Sequence, residues 1–361
     1  MPVGNSERGV GLGAGEIMLF VDYNKQRFDW WHEQVTDAYI TGTNEAENFE
    51  HNGLLNNKTL NLGFTLGLGD YWNMSLSQII SERCMTWEGP KWEISDDIPD
   101  GYAVGDSKTV HHRSECASTD FIGSDNEIKA YGGYLGDTRF NFKYLLENTG
   151  KGIGKRVFLG TGFVIPSNNV LTESPWKQTI YDHDGDASTD EILAYSPHRH
   201  FYLSDGAYKM FVEAQYFKKR AKLPVFWGGT FNYEFPLGES EYGFTPSKRY
   251  EISLMALSGP IKAIKTNFFE LTSIGFNLAV VHSSESEWEG EGKTPNSEAT
   301  AYIPGISLLF GSKVGTFGIN VQKGFEIYAK NPGSLEEESD ISSITISYRR
   351  ILDHVIDALY W

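Results

Sequence analysis

The chain has almost no cysteine, two in 361 residues, which excludes a disulfide-built scaffold. It also lacks any apolar run near 18 residues, and its mean hydropathy is −0.36, so no transmembrane helix can be placed. Basic residues are outnumbered: 31 Lys and Arg stand against 48 Asp and Glu. The resulting net charge of −17 argues against a nucleic-acid partner, because such binding draws on neutralised phosphates. The opening stretch Met1-Pro2-Val3-Gly4-Asn5 has no apolar core of the kind a secretory leader needs, so a leader is expected to have been removed ahead of it. What the chain has in quantity is aromatic residues, at 14%, and 38 glycines.

The order of these residues carries the fold. In Lys58–Leu68, Leu60, Leu62, Phe64, Leu66 and Leu68 alternate with Thr59, Asn61, Gly63, Thr65 and Gly67. One face of that segment is wholly apolar and the other small or polar, which is the period of a strand. The same alternation sets Phe140, Phe142, Tyr144 and Leu146 against Arg139, Asn141 and Lys143, and Met210, Val212, Ala214 and Tyr216 against Lys209, Phe211, Glu213 and Gln215. Tyr250, Ile252, Leu254 and Ala256 oppose Glu251 and Ser253; Ile274, Phe276 and Leu278 oppose Gly275 and Asn277; Ile344, Ile346 and Tyr348 oppose Thr345, Ser347 and Arg349. Charge opposite a continuous apolar stripe suits a wet interior and an oily exterior. Twelve such strands are predicted, at 15–31, 58–68, 72–84, 137–147, 155–166, 208–220, 222–235, 248–258, 267–284, 298–310, 314–327 and 341–351. Their length is what a tilted strand needs to cross a hydrocarbon core.

The connections alternate long and short throughout. The long ones, led by 32–57, 85–136 and 167–207, hold acids such as Glu45, Asp96, Glu287 and Glu336, while the short ones are basic, with Lys151, Lys218, Lys219, Arg220 and Lys262. Trp30, Trp31, Trp72, Tyr23, Phe235 and Tyr328 lie near strand ends, as interfacial girdles require. An all-β, transmembrane, antiparallel up-and-down barrel of twelve strands follows. It has short periplasmic turns, long acidic extracellular loops and an outer-membrane location among lipids and lipopolysaccharide. Residues 1–14 form a periplasmic segment, 15–351 the barrel, and 352–361 either a C-terminal helix-like extension or the end of the last strand. A secreted soluble sandwich is the alternative, but it gives no reason for loop length and charge to sort together.

Two stretches, Leu135–Ser167 (LGDTRFNFKYLLENTGKGIGKRVFLGTGFVIPS) and His200–Ala256, resemble the outer-membrane family associated with the meta-pathway of phenol degradation. The first has a Gly-Asp entry, a strand, a basic turn and a strand ending in apolar-Pro. The resemblance covers the central third to half of the chain and implies a channel that passes small, often aromatic or apolar, molecules.

Several residue groups carry candidate chemistry. Asp182, Asp184, Asp186 and Asp190 alternate as a hard cation's oxygen ligands would, so they form either a Ca²⁺ clip in a long loop or a plain acidic turn. Cys84 and Cys116 flank much of the loop 85–136 and are expected to pair in an oxidising envelope. His111 and His112 with Cys116 could offer nitrogen and sulfur to Zn²⁺, though adjacent histidines on an extended strand fit one ion poorly. His282 and Ser284 share one side of a strand, the minimum of an acyl-transfer pair, as in a barrel phospholipase; a strand running into a polar loop explains them as well, and no enzyme is expected. The inward set is Arg139, Lys143, Lys209, Glu213, Gln215, Glu251, Asn277 and Arg349. These either set the selectivity of a conduit for a small-molecule permeant or cross-link a closed interior. The leading expectation is a passive channel; the alternative is an interaction barrel whose long loops bind a protein partner.

Overall fold

The computed structural model describes residues 7–359 except 33–36, 41–45, 49–50, 96–97, 113–133, 150–152, 173, 175–179, 182–190, 193–201, 260, 262–264, 267, 295–296 and 330–337. Twelve strands form the wall: β1 Glu16–His32, β2 His51–Gly67, β3 Trp72–Ser95, β4 Leu135–Asn148, β5 Gly154–Ile165, β6 Lys209–Lys219, β7 Phe226–Pro236, β8 Arg249–Leu257, β9 Glu270–Ser283, β10 Ala299–Ser312, β11 Gly315–Tyr328 and β12 Glu338–Val355. Each pairs antiparallel with its neighbour in sequence. The ring closes where β1 meets β12, in register from Met18↔Ile351 to Trp30↔Ser339. Closure leaves no barrel strand with an unpaired edge, which is the condition for sheet in lipid.

All twelve predicted strands are present. Differences lie at the ends that leave the bilayer: β2 starts at His51 rather than 58, and β3 runs on to Ser95, where it pairs with an accessory strand, Ile98–His112. Outside hydrocarbon the outer face has no need of apolar residues, so the alternation that marks a strand fades there. β12 likewise continues through Val355, and a 3-10 turn follows at Asp357–Leu359.

The outer surface is a band of exposed apolar side chains. Leu62, Leu159, Phe163, Ile252, Leu254, Phe276, Ile306, Val321, Ile344 and Ile346 all face outward. Aromatic pairs gird it at both rims. Trp72–Tyr144 (4.9 Å), Tyr216–Trp227 (5.4 Å) and Phe317–Tyr348 (4.8 Å) lie at the short-turn end. Tyr233–Tyr250 (4.6 Å) and Tyr302–Phe325 (5.6 Å) lie at the long-loop end. Tyr328 departs from the predicted girdle. Strand parity turns it inward, where its hydroxyl donates to Glu326 at 3.0 Å.

Inward positions alternate bulk with glycine. A Cβ on Gly63 would meet the Phe20 ring at 2.3 Å, one on Gly162 the Phe211 ring at 2.3 Å, and one on Gly228 the Phe217 ring at 2.6 Å. The glycines of the small face are therefore notches into which neighbouring rings lie flat against the wall, and Phe20 and Phe217 are almost wholly buried. At the long-loop end, Phe244–Thr245 pairs with Glu287–Trp288, which pairs in turn with Gly292–Lys293; Trp288 packs on Phe244 at 5.0 Å.

The outer band sets a test of the barrel's environment. Ile346 sits mid-way along β12 on the outer face, so Ile346→Arg is expected to cost about 2–4 kcal/mol near the bilayer midplane. The check is the denaturant midpoint of the variant in liposomes against that of the wild type.

Candidate functional site: an occupied lumen

The interior is polar in three tiers. Nearest the long loops lies a cavity of about 680 Å³. Strand parity gives it two unlike walls. On one side Phe28, Leu55, Ile303 and Ile341 from β1, β2, β10 and β12 give apolar patches among Gln26, Asn57, Glu326 and Tyr328; on the other Arg139, Lys209, Glu234 and Arg249 from β4, β6, β7 and β8 form a charged side. Glu234 joins that side together: Arg139 Nη2 donates to its Oε2 at 2.5 Å, and Lys209 Nζ lies 3.6 Å from its Oε1. Lys209 also bonds Asp205, and the Arg139 guanidinium stands 4.9 Å from the Phe211 ring centre. Glu234 and Lys209 are largely withdrawn from water, so leaving either without its counter-charge is expensive.

Lower down, residues 7–14 fold back from the start of β1 into the barrel, so the segment expected in the periplasm has its described part inside the lumen. It runs across β3 to β8 and is held at almost every residue. The Leu12 amide donates to Asn73 Oδ1 at 3.1 Å, and Asn73 Nδ2 returns a bond to the Leu12 carbonyl at 3.2 Å. The Gly9 amide donates to Gln215 Oε1 at 2.9 Å. Arg8 Nη1 reaches Glu251 Oε1 at 2.9 Å and Thr230 Oγ1 at 3.2 Å. Lys143, buried to 1% exposure, donates to the Glu7 carbonyl at 3.0 Å and lies 3.9 Å from its carboxylate. Glu213 accepts from Asn141 at 2.9 Å and Gln215 at 3.1 Å, which orients both for the segment.

Apolar contacts finish the seat. Val10 and Leu12 cluster with Met18 and Phe20. The segment's glycines turn to the opposite wall. A Cβ on Gly9 would touch Phe217 at 3.2 Å, and one on Gly11 would touch Leu145 and Phe158 at 3.5 Å. Gly9 also has φ +72, a conformation a side chain would strain. The alternation Gly9-Val10-Gly11-Leu12-Gly13 is the signal that could have revealed the insertion, since it carries the same two-sided period as the strands.

Beside the segment, towards β1 and β9–β12, a second cavity of about 240 Å³ remains, bordered by Asn24, Asn277, Ser307, Gln322 and Thr345. Asn277 donates to Ser307 at 2.8 Å and Asn320 at 2.9 Å and accepts from Gln322 at 3.2 Å. A third, of about 200 Å³, lies between Glu7 and Glu234.

All eight expected lumen residues face inward. Six of them, Arg139, Lys143, Lys209, Glu213, Gln215 and Glu251, gather on the charged side or under the segment; Asn277 belongs to the opposite wall. Arg349 of β12 faces the lumen near Asp22 of β1, its oppositely charged diagonal neighbour across the seam. Segment residues Glu7 and Arg8, and Asn73 and Glu234, are the participants the sequence did not single out. His282 and Ser284 form no dyad: parity puts His282 on the outer face, where its Nδ1 meets Thr300 Oγ1 at 2.9 Å, and Ser284 lies past the end of β9, its Oγ accepting from the Lys248 amide at 2.9 Å. Asp182, Asp184, Asp186, Asp190 and Cys116 lie outside the described residues, as do the side chains of Cys84, His111 and His112.

A closed ring with an apolar exterior, aromatic rims and a polar, charged interior has one environment open to it. The protein is an outer-membrane β-barrel. The outer membrane channel from Pseudomonas putida F1 is similar over 96% of this chain and 99% of its own, at 13% identity and a TM-score of 0.44. The transport unit of the autotransporter AIDA-I from Escherichia coli is similar over 95% and 91%, at 7% identity and a TM-score of 0.39. The CymD monoaromatic hydrocarbon channel is similar over 95% and 90%, at 8% identity and a TM-score of 0.35. No family model matches the chain and no curated protein matches it. No residue role passes from these structures to this barrel.

Two outcomes follow from the ion pairs. Glu234→Gln leaves Arg139 and Lys209 short of a counter-charge and is expected to destabilise the barrel by about 1–3 kcal/mol, seen as a lower thermal midpoint in detergent. Burial pushes the Glu7 carboxyl up, but Lys143, Ser75, Arg8 and Asn141 together outweigh it and hold it below the ordinary carboxylate range. A depressed acid stabilises the seated segment above its free-chain pKa, and that contribution is lost as pH falls through the lowered value. Amide-exchange protection of residues 8–12 is therefore expected to be full at neutral pH and to decline below about pH 4.

Proposed function

We propose that this barrel is a passive channel for small molecules, in part aromatic or apolar ones, across the outer membrane. The observation that carries the reading is the upper cavity, with further separate cavities lying beside the N-terminal segment. Eight-stranded barrels fill their lumen with side chains and sixteen to eighteen strands leave an aqueous channel; this ring of twelve keeps cavities of about 680, 240 and 200 Å³ within it. The apolar patches of Phe28, Leu55, Ile303 and Ile341 support an uncharged, partly apolar solute, while the opposite charges Arg139, Lys209, Glu234 and Arg249 keep the passage wet. Outer-membrane lipid, with lipopolysaccharide in the outer leaflet, is the proposed surrounding of the apolar band. Ca²⁺ at Asp182, Asp184, Asp186 and Asp190 and a Cys84–Cys116 disulfide remain proposals for the long loops.

Purified protein reconstituted in planar bilayers is expected to give discrete ion conductance. A barrel that never conducts, even after the long loops are cut back, overturns the channel.

A further inference from the structure

We infer that the outer face of β5–β7 carries, at the short-turn rim, a binding site for the phosphate headgroup of an anionic phospholipid in the periplasmic leaflet. The site lies outside the lumen and is independent of the channel reading.

Strand register builds the site. Lys218 of β6 lies directly opposite Lys155 of β5 on one side and Trp227 of β7 on the other. Their neighbours Phe217 and Gly228 are buried towards the lumen, so Lys218 and Trp227 face outward, and the register gives Lys155 the same face. Trp227 pairs with Tyr216 at 5.4 Å in the short-turn girdle, which marks the depth of the lipid headgroups. Side chains directly opposite on neighbouring strands have Cβ atoms about 5 Å apart, so two lysines placed this way repel. Glu147 reaches Lys155 at 2.8 Å and relieves that residue. Lys218 has no acidic partner among the described residues.

The turn between β6 and β7 adds Lys219, Arg220 and Lys222, none of which forms an ion pair among the described residues. Arg220 Nη2 donates to the Leu223 carbonyl at 3.3 Å, which keeps the guanidinium at the turn, and Leu223 itself is 72% exposed. Five cations therefore stand around the single carboxylate Glu147. A phosphate between Lys155 and Lys218 removes their repulsion, and its acyl chains have the outward stripe of Leu159, Phe163 and Val212 to lie along. Basic residues at a membrane surface attract anionic lipid in this way. A second copy of the same face would set like charges together, and an acidic protein would make no use of the stripe.

The test uses the full-length barrel in uncharged detergent, with phosphatidylglycerol as the probe and bound lipid counted by native mass spectrometry. Saturable binding is expected, and phosphatidylcholine is expected to bind about tenfold more weakly. Lys155→Gln with Lys218→Gln is expected to weaken phosphatidylglycerol binding about tenfold. Lys218→Arg is expected to retain it, and Lys323→Gln, which removes a cation from β11, to leave it unchanged. Binding by the double variant equal to the wild type, or phosphatidylcholine bound equally well, overturns the site. Glycerol phosphate that displaces the lipid at equal concentration would make this a site for free phosphate; polyglutamate that does so would make it the seat of an acidic protein. Either result overturns the lipid assignment. If the double variant does not fold, the wild type decides alone. Its binding is expected to be lost between about 0.1 M and about 1 M salt, as the screening length falls from about 10 Å to about 3 Å. Binding indifferent to salt overturns the inference.

Discussion

Everything in this molecule depends on one requirement: in hydrocarbon, each backbone N–H and C=O must find its partner within the protein. A sheet meets it only by closing, and this one closes by laying β1 along β12. Once the ring is shut, the two faces of every strand are assigned. The outer face must be apolar because lipid touches it, and the inner face is free to be polar because water can reach it. The glycine notches, the charged side of the lumen and the aromatic rims are consequences of that assignment.

The size of the ring creates the second problem. Twelve strands enclose more space than inward side chains alone can fill. The chain solves it unevenly. Large rings such as Phe20 and Phe217 lie over glycines near the short-turn end, Phe158 stands beside them, and a stretch of the chain itself is threaded across. Nearer the long loops, charged residues gather on a shared carboxylate, Glu234, along one side, and the space beside them stays open. The lumen is thus packed at one end and hydrated at the other.

Much of this was legible in the sequence because lipid imposes a strict rule on alternate residues. Leu60 to Leu68 and Ile344 to Tyr348 declare both their strand and their outward face, and by elimination Lys143, Glu213 and Glu251 face inward. What the alternation could not convey is which inward groups meet. Arg8 and Glu251 are 243 residues apart, and only the curvature of the closed ring brings β8 within reach of the chain's start. The reach of β2 and β3 beyond the bilayer was hidden for the opposite reason: with no lipid to satisfy, residues 51–57 and 85–95 show no apolar stripe. Tyr328 misled by position, since an aromatic at a strand end reads as a girdle residue until parity shows which way it points.

The seam between β1 and β12 has a consequence for how the molecule is made. Its register couples residues more than 300 positions apart, so it is the least local contact in the wall. Pairings of such separation form late, since the cost of bringing the ends together precedes any reward. Hairpins across short turns can assemble as they emerge, but the ring stays open, with two bare edges, until its last strand exists. The N-terminal segment is rooted beside that seam, with the Gly15 carbonyl accepting from Ile356 at 2.9 Å just past β12. Biogenesis therefore ends at one place, where the first and last residues of the barrel meet and the opening of the chain is enclosed by its close.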